Sequence, residues 1–241
     1  MESAETPRAR LGPLVHRSVH QGAILFLLGS IEFLLGMAVT QVGYGPPAYS
    51  LTQNYISDLG ATKCGVFHGA TSLVGHYACS PWHVVFNASI VLLGLLLIFG
   101  AVLVRSAFPP RRSRNIGLLL LILAGIGAMG VGFSPEDVDI AVHSISAFLA
   151  FSASGFALIV LGFAMFRDTR WDGFRAYSIL SGLLTLVALV LFASKVYGPL
   201  GVGGMERLIV APVLLWAIVV GVHLLRIPAF APRSIPKPTG T

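Results

Sequence analysis

Long apolar runs separated by short polar breaks dominate the chain. A membrane-spanning helix needs about 20 mostly apolar residues, and six runs approach that length: 22–40, 83–104, 116–133, 140–166, 177–194 and 208–225. The pattern predicts an all-α, polytopic membrane protein. Its bundle of six transmembrane helices occupies 21–226, after an N-terminal segment 1–20 and before a tail 227–241. The tail carries Pro228, Pro232, Pro236 and Pro238 and is expected to be disordered. One long polar stretch interrupts the apolar regime, the first connection at 41–82. With its flanks it reads YGPPAYSLTQNYISDLGATKCGVFHGATSLVGHYACSPWHVVFN and holds both cysteines and three of the seven histidines.

Composition supports the membrane assignment. Hydrophobic residues make up 55% and charged residues 11%, with mean hydropathy +0.83, whereas soluble domains carry about 25% charged residues. A pI of 9.7 raises the question of nucleic acid, but the positions of the charges answer it. Thirteen of the sixteen Lys and Arg fall in the termini, the second connection (Arg105, Arg111, Arg112, Arg114) and the fourth (Arg167, Arg170, Arg175). The other three connections carry only Lys63, Lys195 and Arg207. By the positive-inside rule both termini are cytoplasmic and the 41–82 loop faces outward. No nucleic-acid motif accompanies the basic residues. The basic start leads into a long apolar run without a small-residue cleavage site, so no removable signal peptide is read.

That orientation places Cys64 and Cys79 in an oxidising compartment, where disulfides persist. A bridge between them closes a loop of about 15 residues, for which chain entropy gives roughly 3 kcal/mol. Free thiols, or a metal site with His68, His76 and His83, are the alternatives. Zinc sites favour closer Cys and His spacings than this loop contains, so the disulfide is the expectation and no metal is assigned. Gly125, Gly127, Gly130 and Gly132 in the third run suit close helix packing. Before the fourth, SPEDVD reads as a helix start, with Ser134 as N-cap, Pro135 in the first turn, and Glu136 and Asp137 complementing the dipole.

A few polar residues stand out. Glu32 is the one acid near the middle of a spanning run, where a charge is costly and functional residues concentrate. It reads as either a structural carboxyl or a proton carrier. His143 shares a helical face with Asp139 and Ser146, the layout of an acid–base unit, although a histidine with a nearby acid on a helix is more often a structural hydrogen bond. A metal site of Glu136, Asp139 and His143 lacks a further ligand. Asn54, Ser57 and Asp58 in NYISDLG read as a turn or cap, and apolar Tyr55, Ile56 and Leu59 would let the segment tuck into the bundle mouth as a lid. Glu206 and Arg207 sit at the same level and suit an ion pair with each other or with the loop acids. Candidate catalytic residues are therefore His143, Asp139, Ser57 and Glu32. Candidate binding residues are Glu32, Asn54, Ser57, Asp58, His83, Asn87, Glu206 and Arg207.

The run Glu32, Tyr49-Ser50, Asn54 to Gly60, Cys64, Cys79-Ser80-Pro81 and Asn87-Ala88-Ser89 resembles the prokaryotic membrane-protein family catalogued as domain of unknown function 998. The resemblance covers nearly the whole chain, and the ISDLG and CSP…FNAS blocks are its most distinctive parts. It implies six helices, the outer cysteine pair and a bacterial plasma-membrane location, and it transfers no catalytic residue. Three function classes follow from the residues. The leading one is binding or transport of a lipid or an isoprenoid-like amphipathic molecule through a pocket opening to the outer face. An intramembrane enzyme, a lipid hydrolase or proton-initiated cyclase using His143, Asp139 and Glu32, is the second. An accessory subunit, associating with itself or a membrane partner, is the third. Inverted halves, broken-helix signatures and nucleotide-binding motifs are absent, as are haem, flavin and iron–sulfur motifs, so no cofactor is expected.

Overall fold

A computed structural model of the chain describes residues 7–68, 75–166 and 168–226. The expected tail, 227–241, lies outside the described residues. Six long helices form the molecule: α1 Pro7–Val42, α2 His83–Leu103, α3 Arg112–Phe133, α4 Ile140–Ala164, α5 Phe174–Ala193 and α6 Gly201–Arg226. All six are long and apolar enough to cross a membrane. Each packs on its neighbour in sequence, and α6 closes the ring on α1. Large apolar side chains also face away from the bundle, among them Phe133, Ile145 and Leu180. Helices apolar on both faces belong in lipid, so this is a multi-pass membrane protein.

Small residues set how closely the helices approach. A Cβ on Gly94 of α2 would clash with the Gly125 carbonyl oxygen of α3. One on Gly127 would lie 2.5 Å from the Ala150 nitrogen and 2.7 Å from the Ser146 oxygen of α4. Backbone is touching backbone at these crossings, the packing that small residues permit between helices in lipid.

α3 and α5 start slightly before their apolar runs, and two other helices extend well beyond theirs. α1 starts at Pro7, inside the expected 1–20 segment, and proline is well tolerated in a first helical turn. α6 starts at Gly201 and so takes in Glu206 and Arg207, both of which find partners in the first loop. A third difference concerns α4. Its N-cap is Asp139, whose carboxylate accepts from the N–H groups of Ala141 and Val142 at 3.1 and 3.0 Å. Ser134 instead ends α3. The helix thus starts where its apolar run starts, at Ile140, but is capped by Asp139 and not Ser134, while Glu136 and Asp137 bond to the loop.

The 41–82 connection is folded. Ser57–Gly60 forms one turn of 3-10 helix, buried throughout. β1 Gly65–Phe67 and β2 His76–Ala78 pair antiparallel, with Val66 opposite Tyr77 and Phe67 opposite His76. A disulfide joins Cys64 to Cys79 immediately beside the Gly65–Ala78 pair. At the other end of the bundle, buried Trp171 stacks on Phe108 at 4.6 Å.

Candidate functional site

The first loop caps one end of the bundle, and its apolar residues provide the anchor. Ile56 and Leu59 are buried in the core, and burial of such side chains contributes about 1.5–3 kcal/mol each. Burying the turn between them removes its backbone from water, and polar partners must then be supplied by neighbouring elements. α6 provides two. The Glu206 carboxylate, itself buried, accepts a short hydrogen bond from the Ile56 N–H. Arg207 donates to the carbonyls of Leu51 and Asn54 at 3.0 and 3.2 Å and to the Tyr49 hydroxyl. Glu206 and Arg207 therefore both reach into the loop, and no ion pair joins them among the described residues.

α2 and the α3–α4 turn hold the rest. Asn87 donates to the Gly60 carbonyl at 3.0 Å, and Ser80 to that of Leu59 at 2.7 Å. Asp137 accepts from the N–H groups of Thr62 and Lys63, at 2.9 and 3.0 Å, and from the Thr62 hydroxyl at 2.7 Å. His83 contacts the Ser80 carbonyl through Nδ1 at 3.0 Å.

Within this cap lies a compact group, Asp58, His76 and Glu136, one residue each from the 3-10 turn, β2 and the α3–α4 turn. The Asp58 side chain is fully buried, and its Oδ2 accepts from Asn54 Nδ2 at 2.8 Å and the Tyr55 N–H at 3.1 Å. Its Oδ1 lies 2.8 Å from His76 Nε2. Glu136 accepts from the Ser57 hydroxyl through Oε2 at 2.8 Å, while Oε1 lies 3.7 Å from His76 Nε2. With a carboxylate on either side, Nε2 carries a proton. Asp58 first, then Glu136, hold the imidazole pKa up at about 10, against the lowering effect of burial. Burial pushes Glu136 up, opposed by its His76 and Ser57 partners and reinforced by the Asp58 charge. Burial likewise pushes up the phenols of Tyr44, Tyr49 and Tyr55 around the group.

Beneath the cap, between the helices, is a cavity of about 70 Å³. Its walls are Leu, Ile, Val, Phe and Ala from α1, α2, α3, α4 and α6, including Phe33, Leu93, Ala128 and Val213. Ser57 in the cap, and His143 and Glu206 near the starts of α4 and α6, bring polar groups to the cap end. Deeper in the wall, the Ser154 hydroxyl donates to its own helix at the Phe151 carbonyl, at 2.9 Å.

The structure separates the other candidates. His143 Nδ1 faces the Ser134 carbonyl at 2.9 Å, and Asp139 serves as the α4 cap, so its carboxylate does not orient the imidazole. Ser57 donates to Glu136 and makes no hydrogen bond with His143 among the described residues. Glu32 accepts from Ser89 Oγ at 2.9 Å across the α1–α2 contact, outside the cavity lining. From sequence, Glu136 reads as complementing the α4 dipole or as a metal ligand with Asp139 and His143, and His76 as a ligand in an alternative metal site with the cysteines. The meeting of Glu136 and His76 with Asp58 depends on the hairpin register and on a contact, Ser57 to Glu136, spanning 79 residues. The local signal was slight: acids and a histidine in loops assigned to one face.

Comparison with known proteins agrees with this architecture. A family model described as a protein of unknown function (DUF998) matches residues 27–223, most of the chain. No curated protein and no solved structure matches.

Proposed function

The chain belongs to the DUF998 family of unknown function, and from the geometry of its site we propose that it binds an amphipathic, lipid-like molecule. The hydrocarbon part occupies the cavity between the helices, and the polar end meets Ser57, His143 and Glu206. One observation carries the reading: a cavity walled by apolar side chains receives its loop-borne and charged groups only at the capped end. Pockets of that composition, mostly apolar with a few placed polar groups, suit small amphiphiles. A single water needs about 10–15 Å³ by the probe-occupied measure, and apolar cavities stay dry and take apolar guests. A 70 Å³ space lined by Leu, Ile, Val and Phe therefore favours a segment of acyl or isoprenyl chain over water.

The capped end is placed on the outer side of the plasma membrane, with both termini cytoplasmic. The distribution of Arg and Lys supports this orientation, as does the Cys64–Cys79 disulfide in the cap, a bond favoured in oxidising compartments. Binding is then from the outer leaflet.

Native mass spectrometry of the gently purified protein, with extraction of what co-purifies, tests the proposal. One lipid-like molecule at fixed stoichiometry is expected, lost in Ala128→Phe, which fills the cavity from α3. Bilayer lipid at no fixed stoichiometry, or a bound molecule retained by a folded Ala128→Phe variant, overturns it.

A further inference from the structure

The cap contains a second arrangement, independent of what fills the cavity. Asp58 and Glu136 each use one carboxylate oxygen in a supporting hydrogen bond and turn the other toward one point. Asp58 Oδ2 is held by Asn54 and the Tyr55 N–H, leaving Oδ1 toward His76. Glu136 Oε2 is held by Ser57, leaving Oε1 toward the same imidazole nitrogen. That Oε1 is buried without a hydrogen-bond partner, on a side chain only 7% exposed. A buried carboxylate oxygen left unpaired is costly, and here it stands beside a second buried carboxylate, Asp58. Two carboxylates facing one histidine leave a negative charge uncompensated. A divalent cation would remove it.

We propose that Asp58 Oδ1, His76 Nε2 and Glu136 Oε1 form a binding site for a divalent transition-metal ion of the zinc class. The three ligand atoms lie within 4.8 Å of one another. Tetrahedral zinc with bonds of about 2.0–2.2 Å sets its ligand atoms about 3.4 Å apart, and the distances from Nε2, 2.8 and 3.7 Å, bracket that value. Binding replaces the Nε2 proton, which leaves to solvent. The donor set selects the metal. An imidazole nitrogen favours zinc and its first-row neighbours over calcium and magnesium, which take oxygen ligands in larger number or strict octahedra. Three protein ligands leave a fourth position for water, the pattern of zinc sites that stay open. Asn54 and Ser57 orient the carboxylates from outside, as supporting residues do around ligands.

The test uses the full chain, purified without a histidine tag and stripped with chelator. Calorimetric titration with Zn²⁺, and elemental analysis after removal of excess metal, should give one ion per chain. Glu136→Gln keeps shape and the Ser57 contact but removes charge, and His76→Ala removes the nitrogen. Each should lower affinity by more than the roughly 10- to 100-fold that loss of a supporting residue costs. Zn²⁺ should also raise the thermal midpoint of the wild type by mass action and leave Glu136→Gln unmoved, which keeps the test valid where His76→Ala folds poorly. Absence of stoichiometric zinc, wild-type zinc affinity in both variants, or equal affinity of the wild type for Mg²⁺ or Ca²⁺ would each overturn the assignment.

Discussion

Glu206 shows what a single buried acid can do. It lies in the second turn of α6, accepts the Ile56 N–H and lines the cavity. Glu206→Ala should strand that N–H in a dry place and destabilise the protein by about 1–3 kcal/mol. Glu206→Gln keeps an accepting oxygen and should lose much less. Denaturant or thermal unfolding in detergent compares the two, and equal losses would show that the hydrogen bond carries no weight. Sequence singled out Glu206, Ser57 and Asp58 because each is a polar residue beside apolar ones at an expected bundle mouth. It could not pair them, since the partner of each is set by three-dimensional approach. Asp139 illustrates the converse: its spacing from His143 is right for a helical pair, yet the bare N–H groups of the first turn compete for the carboxylate and take it.

At the scale of elements, the helices were legible, and so was the close packing at the α3 glycines, but not which helices meet there. Apolar run length alone located all six, because the membrane imposes that length. The hairpin was missed: strands of three residues carry no readable alternation, and the neighbouring disulfide reinforces their pairing. Gly127 sits at the α3–α4 contact, where its missing Cβ admits the Ala150 nitrogen and Ser146 oxygen. Gly127→Ala should separate the two helices and cost about 1–3 kcal/mol, the usual range for overpacking. A lowered thermal midpoint in detergent is the expected result, and an unchanged midpoint would show that the crossing relaxes without strain.

For the whole molecule, the charge pattern makes a prediction about sidedness. A fluorescent protein fused to the C-terminus should mature and glow, and alkaline phosphatase at the same point should stay inactive, if the proposed orientation, with the C-terminus in the cytoplasm, holds. The opposite pair of results would invert the proposed orientation and put the cap inside. The cap also bears on the order in which the chain is made. Its turn emerges from the ribosome early, but the groups that satisfy it come later: Glu136 by 79 residues after Ser57, and Glu206 by 150 after Ile56. Chains fold in part as they are synthesised, N-terminal portions first. Until α6 arrives, the Ile56 N–H lacks its acceptor and one wall of the cavity is missing. The chamber is thus closed only once α6 has packed, and on the proposed reading an amphiphile would enter it during insertion without opening a finished wall.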